Sequence, residues 1–166
     1  ELGPLLSATP SHQAVIERMH GASGIQRRHT ALPLERYRDL GTFRDSNNEF
    51  IRVATDLLDR ALTTALADAG LTPRDVDYVM FTLARVHDYL VGHPDEVGVL
   101  LSVELCSLTL QRGDHTMANF VATGLFGDGA AAVVMVGENR SEAGPRIVDT
   151  RSTFIPDSHD VIGWNV

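Results

Sequence analysis

The sequence contains no lysine, so all fourteen of its basic residues are arginines. The absence excludes a Schiff-base lysine and a phosphate-loop lysine within these residues. The single cysteine cannot form a disulfide within the chain, which agrees with a reducing compartment, and we predict a cytoplasmic location. No apolar run approaches 18 residues, so we predict no membrane span.

Positive charge is also scarce. The fourteen arginines face 22 acidic residues, for a net charge of −8. Nucleic-acid binding needs clustered positive charge, so the composition argues against a nucleic-acid partner. With 166 residues and 43% apolar content, the chain is long enough for about one globular domain.

The clearest predicted element is a helix from Ser46 to Ala69. Ser46 and Glu49 have the spacing of a capping box, and Gly70 and Pro73 end the pattern. Apolar residues recur every three or four positions and predict one buried face. Its members are Phe50, Val53, Ala54, Leu57, Leu58, Ala61, Leu62, Ala65, Leu66 and Ala69. A shorter helix is predicted before it, over 11–20.

Strands and a further helix follow in alternation, which predicts an α/β fold. We predict strands over 75–82 and 97–104, a helix over 83–92 between them, and a later strand over 146–154. Strand and helix meet at Thr82 and Leu83 with no loop, although such connections usually take about two to six residues. We therefore expect that native polypeptide is omitted at this junction.

A glycine-rich stretch precedes the most apolar run of the chain. Gly124, Gly127 and Gly129 surround Phe126 and Asp128, and an unbroken apolar run follows to position 136. The glycines predict a turn with unusual backbone angles close to a bulky group, and the run predicts a strand buried on both faces. Phe126 and Asp128 are candidate site residues. On spacing alone, a core phenylalanine and a turn-forming aspartate are the better interpretation.

Two further features have a functional and a structural interpretation. Cys106 suits a nucleophile, but a small buried hydrophobe is the more frequent role, and Glu104 would raise the thiol pKa if both faced one side. The run 25–29 gathers positive charge that suits an anionic ligand or, more commonly, a solvated or ion-paired surface. The histidines lack zinc-site spacing, so no metal is expected.

The order of elements and several motifs resemble the N-terminal half of thiolase-fold condensing enzymes. Within these, the chain is similar to the bacterial type III polyketide synthases of the chalcone-synthase-like group. The motifs are Leu-Phe-Gly-Asp-Gly-Ala, Val-Glu-Leu-Cys-Ser-Leu-Thr, Ile-Gln-Arg-Arg-His and Leu-Ala-Arg-Val-His-Asp-Tyr-Leu. The resemblance implies that 1–166 is an incomplete, N-terminal half-domain of a layered αβαβα fold.

The resemblance also implies a function. Such enzymes are homodimers that extend an acyl-CoA starter with malonyl-CoA by decarboxylative condensation, cyclise the product, and need no cofactor. Phe126 matches the phenylalanine at the mouth of the CoA tunnel, where an apolar face favours loss of CO2. Cys106 and Thr109 match residues that line the substrate cavity, with Ala122 nearby. Arg18 matches a contact to CoA phosphate, whereas Val15 and Ala22 replace basic residues of the family.

The catalytic cysteine, histidine and asparagine of the family match no residue here. The cysteine belongs between Thr82 and Leu83, and the other two belong beyond Val166. Small residues near Cys106 and Ala122 suggest a roomy cavity and an alkylresorcinol or alkylpyrone product. The alternatives are a ketoacyl-carrier-protein synthase of the fatty-acid type and a non-catalytic half-domain that only dimerises.

Overall fold

The computed structural model describes residues 9–111 and 113–158. Four α-helices and three strands make up its regular structure, joined in part by short 3₁₀ turns. The helices are α1 (Pro10–Ala22), α2 (Phe43–Asp68), α3 (Leu83–Gly92) and α4 (Met117–Leu125). The strands are β1 (Tyr78–Met80), β2 (Val97–Glu104) and β3 (Gly129–Val136). The 3₁₀ turns are Leu34–Asp39, Pro73–Asp75 and Cys106–Thr109.

The strands form one mixed sheet in the order β1-β2-β3. Strands β1 and β2 are parallel and joined through α3, whereas β3 runs antiparallel to β2, with Val97 opposite Val136 and Glu104 opposite Gly129. Because successive side chains of a strand point to opposite faces, Val103 and Gly98 lie on different faces of β2. Val103 packs against the apolar cluster that includes the α2 residues Val53 and Ala54. The Gly98 face lies against α3, so the predicted α/β fold is confirmed as helix, sheet and helix in layers.

Two apolar clusters hold these layers together. The larger joins α2 to the 3₁₀ turns through Leu32, Tyr37, Val53, Ala54, Leu105 and Leu108. The smaller joins α1 to α4, where Ile16 and Phe120 are almost fully buried and Val15 and Met19 pack around them. The second cluster places α4, and with it the glycine-rich loop, against the N-terminal helix.

The predicted start of α2 is wrong by three residues. Thr42 caps the helix and forms the capping box with Asp45, whose carboxylate accepts the Thr42 backbone N–H at 2.9 Å. Glu49, assigned to a capping box with Ser46, pairs instead with Arg52 at 2.6 Å. The end is as predicted: Gly70 has φ +70°, the left-handed conformation that glycine adopts at helix C-termini.

The first strand is also shorter than predicted. The residues 73–75 form a 3₁₀ turn, and strand hydrogen bonding begins at Asp77, whose N–H donates to the Val97 carbonyl at 2.9 Å. The strand ends at Met80, so Phe81 and Thr82 connect it to α3. A two-residue connection is of ordinary length, and loop length alone is therefore no sign of omitted polypeptide.

Two predictions about the C-terminal part are wrong. Strand β3 is not buried on both faces: exposed and half-buried residues alternate along it, and Val133 is 40% exposed. The short helix α3 reaches the Gly98 end of the sheet only, which leaves the face carrying Ser102, Ala131 and Val133 uncovered. The residues 146–154 form no strand because they pair with none of the described strands.

Candidate functional site

The loop Phe126–Asp128 connects the end of α4 to the start of β3 and carries the predicted catalytic residue. Phe126 caps α4, and its backbone N–H donates to the Ala122 carbonyl at 3.0 Å. Its φ of −83° and ψ of 145° are extended, so the chain leaves the helix at this residue. The ring is 59% exposed. The interpretation as a core phenylalanine is therefore wrong, and the ring is open to a ligand.

Of the glycines around Phe126, Gly124 is closely packed, and none of the three has an unusual backbone angle. Of the described glycines, only Gly24 and Gly70 have positive φ. Gly124 lies within α4 against His20, and a Cβ there would come within 2.9 Å of the His20 Cδ2 atom. The prediction of special backbone angles in this loop is wrong, whereas the predicted close approach to a bulky group is confirmed at Gly124.

Asp128 lies inside the protein and accepts hydrogen bonds from two distant segments. Its side chain accepts the Ala31 N–H at 2.5 Å, the Ser107 N–H at 2.8 Å and the Ser107 hydroxyl. Its own N–H donates to the His29 carbonyl at 3.1 Å. Tyr37 extends the network, because its hydroxyl bonds to Ser107 Oγ and accepts the Leu32 N–H at 3.1 Å. Asp128 is thus a buried anchor rather than a turn-forming aspartate.

Burial raises the pKa of Tyr37, the third member of this network, and the Asp128 carboxylate raises it further. The phenol therefore stays protonated at neutral pH and remains a hydrogen-bond donor toward Ser107. Sequence reasoning missed Ser107 and Tyr37. No local pattern distinguishes either residue, because their partners lie far away along the chain.

Cys106 begins the 3₁₀ turn next to this network, and Thr109 ends it. The Thr109 hydroxyl donates to the Cys106 carbonyl at 2.9 Å, which closes the turn. The half-buried Cys106 thiol lies 4.0 Å from a Glu104 carboxylate oxygen. Burial raises the pKa of the Cys106 thiol, and the charges of Glu104 and Asp128 raise it further. The thiol is protonated at neutral pH, which disfavours the nucleophile interpretation.

Ala122 and Arg18 lie on the two helices beside the loop. Ala122 is half-buried on α4, and its carbonyl accepts the Phe126 N–H. Arg18 is exposed on α1, with no ion pair among the described residues. Val15 packs against the Ile16 and Phe120 core.

The basic run 25–29 lies next to the loop at Gly127. A Cβ at Gly127 would lie 3.8 Å from Arg28 Cβ, and Arg28 donates to Ser23 Oγ at 3.4 Å. Burial lowers the pKa of the neighbouring His20, and the Arg28 charge lowers it further. No carboxylate of the described residues pairs with Arg28, so an ion-paired surface does not describe this residue.

A cavity of about 810 Å³ opens elsewhere, between α3, β3 and the chain after β3. Leu83, His87, Leu90 and Val133 line it, and none of the predicted site residues does. We place the candidate site at Phe126 and the Cys106–Thr109 turn, because Asp128 joins these two segments directly. The described residues include no group of three His, Cys, Asp or Glu side chains suited to a metal ion.

The chain is similar to known proteins over most of its length. It is 39% identical over 197 aligned positions to 1,3,6,8-tetrahydroxynaphthalene synthase of Streptomyces peucetius subsp. caesius, covering 93% of this chain and 52% of that protein. A putative chalcone synthase of Bacillus subtilis (strain 168) is 39% identical over 89 positions, covering 50% of this chain and 24% of that protein. No family model matches.

Solved structures of related enzymes share the fold of this chain. The crystal structure of tetrahydroxynaphthalene synthase from Streptomyces coelicolor A3(2), a bacterial type III polyketide synthase, matches with a TM-score of 0.83 at 24% identity. The match covers 96% of this chain and 57% of that one. The chain is related to the type III polyketide synthases. Its fold is the thiolase-like fold of these enzymes, as predicted.

The chain spans about half the length of the curated relatives that match it over most of its residues. The alignment with the Streptomyces peucetius protein runs over 197 positions, more than the 166 residues of this chain. That relative therefore has positions without a counterpart here. Among the described residues, no helix combines the length and apolarity needed to cross a bilayer.

Proposed function

We propose that the protein carrying this chain is a type III polyketide synthase. It condenses malonyl-CoA with an acyl-CoA starter and cyclises the product. Loss of CO2 from the malonyl thioester leaves an enolate, whose carbon attacks the thioester of the enzyme-bound acyl group and releases the cysteine sulfur. The exposed Phe126 ring, anchored beside the Cys106–Thr109 turn, is the observation that carries the proposal.

Phe126 has the catalytic role in this scheme. An apolar ring against the malonyl carboxylate removes water from a charge that disappears with CO2, which favours the loss. Cys106, Thr109 and Ala122 line the cavity for starter and growing chain. Cys106 acts there as a small apolar wall, because its protonated thiol is a poor nucleophile.

Arg18 binds a phosphate of CoA in this proposal. Arg18 is exposed on α1, the helix that packs against α4, which leads into the loop. Val15 and Ala22 leave Arg18 without the basic neighbours of the family. Arg18→Ala should therefore raise the KM for malonyl-CoA without a matching fall in kcat, and Arg44→Ala, at an arginine exposed on α2, provides the matched control.

The nucleophilic cysteine is proposed to lie in native polypeptide between Thr82 and Leu83, in an N-terminal half-domain formed by 1–166. The relative's positions without a counterpart support an interruption of this kind. A direct bond would give the tryptic peptide 75–85, because Arg74 and Arg85 flank the junction. Detection of that peptide in the protein purified from its natural source would refute the proposal. Peptides containing a cysteine between Asp75 and Arg85 would support it.

Two observations bear on the product class. Small residues near Cys106 and Ala122 favour an alkylresorcinol or alkylpyrone made from a long acyl-CoA starter. The 39% identity to a tetrahydroxynaphthalene synthase favours a polyhydroxylated naphthalene instead. Mass spectrometry of products separates the two: a naphthalene has ten ring carbons and can form from malonyl-CoA alone, whereas an alkylresorcinol requires the acyl-CoA starter.

The proposed assembly and the two alternative functions can be tested separately. We propose a cytoplasmic homodimer that uses CoA thioesters as substrates and no further cofactor. Extension of malonyl-CoA without any carrier protein would exclude the fatty-acid type of ketoacyl synthase. An intact mass near 18.1 kDa for the natural protein would favour the non-catalytic half-domain, and a mass about twice as large would favour the enzyme.

A further inference from the structure

Three segments from different parts of the chain meet at the Asp128 side chain. Asp128 itself ends the Phe126 loop, Ser107 belongs to the Cys106–Thr109 turn, and Ala31 belongs to the segment before the first 3₁₀ turn. Ala31 and Asp128 are 97 positions apart in sequence. Asp128 is 9% exposed, and so is Ser107. The contact is therefore shielded from solvent and holds the segments in one arrangement.

The environment of the carboxylate consists of donors. Oδ1 accepts the Ser107 N–H, and Oδ2 accepts both the Ala31 N–H and the Ser107 hydroxyl. A carboxylate is an acceptor at both oxygens, so it satisfies all three donors at once. Both oxygens accept hydrogen bonds within the protein and the side chain is buried, so it is not placed to touch a substrate. Its effect on chemistry must pass through the segments that it joins.

Those segments carry the residues proposed to act on the substrate. Phe126 lies two positions before Asp128, and Cys106 lies one position before Ser107. The Phe126 backbone is fixed to α4 on its other side through the Ala122 carbonyl. The Tyr37 hydroxyl also hydrogen-bonds to the Ser107 Oγ atom. The relative position of the catalytic ring and the cavity wall therefore depends on the Asp128–Ser107 contact.

We propose that Asp128 and Ser107 are positioning residues, which set the spacing between the Phe126 ring and the Cys106–Thr109 cavity wall and so control condensation and product length. The inference rests on the proposed function. A small displacement of a reacting group can cost about a hundredfold in rate, so loss of the link should be visible in kcat.

The test uses Ser107 because its backbone N–H still reaches Asp128 when the hydroxyl is removed, so the variant should fold. Ser107→Ala, Ser107→Thr and the matched control Ser46→Ala, at a half-buried serine in α2, are compared in the full natural protein with malonyl-CoA. For Ser107→Ala we expect kcat to fall about tenfold or more with little change in KM, and product lengths to shift. Ser107→Thr retains the hydroxyl and should restore both.

Three outcomes separate the claims. If Ser107→Ala loses stability but keeps the kcat and product lengths of Ser46→Ala, the network is only structural and the inference is wrong. If Ser107→Thr behaves like Ser107→Ala, the hydroxyl link is not the cause and the inference is wrong as well. If the unaltered protein condenses no malonyl-CoA, the proposed function fails and the inference fails with it.

Discussion

Replacement of Phe126 by alanine should separate catalysis from stability. Full burial of a phenylalanine side chain stabilises a protein by about 1.5–3 kcal/mol. Because the ring is 59% exposed, its removal should cost only about 1 kcal/mol of unfolding free energy. The ring should contribute to the rate by removing water from the malonyl carboxylate before CO2 leaves. At 1.36 kcal/mol for each factor of ten, a loss of about 1.4–2.7 kcal/mol lowers the rate of malonyl-CoA decarboxylation about 10- to 100-fold.

The assay measures acetyl-CoA formed from malonyl-CoA by chromatography, and urea unfolding measures stability in the same preparations. Phe126→Leu retains an apolar side chain and should lose less activity than Phe126→Ala. Phe43→Ala provides the control, because it makes the same change at a ring that is 86% exposed in the first turn of α2. A Phe126→Ala protein that is folded and decarboxylates within twofold of the unaltered protein would refute the catalytic assignment.

Three further predictions concern stability and reactivity. Gly98→Ala places a Cβ 2.5 Å from the fully buried Val86 side chain, so it should cost about 1–3 kcal/mol by overpacking, measured as a lower urea midpoint. Because the pKa of the Cys106 thiol is raised, iodoacetamide should alkylate it slowly at neutral pH and faster as pH rises. Glu104→Gln should lower that pKa and speed the alkylation at pH ~8. An unchanged alkylation rate in Glu104→Gln would contradict the role of Glu104. Thr42→Ala removes the cap of α2 and should cost about 0.5–2 kcal/mol, whereas a cost near zero would move the helix start back to Ser46.

The pH dependence of the α2 cap has a definite sign. The Thr42 hydroxyl and backbone N–H lower the pKa of Asp45, and a depressed carboxyl pKa means that stability is gained above the unfolded-state value. This contribution should be lost as pH falls through the lowered value. An Asp45→Asn protein should show a smaller loss of stability between pH ~5 and 2 than the unaltered protein. An identical acid response in both proteins would exclude Asp45 as its source.

Sequence patterns predicted the elements that are determined by residues close together in the sequence. Apolar residues recur every three or four positions from Val53 to Ala69, and the backbone angle of Gly70 ends the helix, so both features were readable from the sequence. Phe50, predicted on the same buried face, is 37% exposed. The start of α2 was misassigned because Ser46 and Glu49 match the commoner capping box, although Thr42 and Asp45 satisfy the same donors. The exposure of β3 was not readable, because it depends on how far α3 extends across the sheet.

The site was only partly predictable for a similar reason. Phe126 and Asp128 stood out through the glycines around them, but the sequence could not assign one to solvent and the other to the interior. The partners of Asp128 come from positions 21 and 97 residues away, and no periodic pattern reports such contacts. Ser107 and Tyr37 became visible only as members of the network.

The environment of Cys106 bears on which cysteine can act as the nucleophile of the proposed enzyme. A nucleophilic thiol needs a positive or hydrogen-bonding environment that stabilises its thiolate. Cys106 has the reverse: it is half-buried, and the carboxylates of Glu104 and Asp128 both disfavour a second negative charge. Since it is the sole cysteine of the sequence, thioester formation requires a cysteine from polypeptide that this sequence lacks. The proposed position of this cysteine is between Thr82 and Leu83, and an intact Asp75–Arg85 peptide in the natural protein would refute that placement.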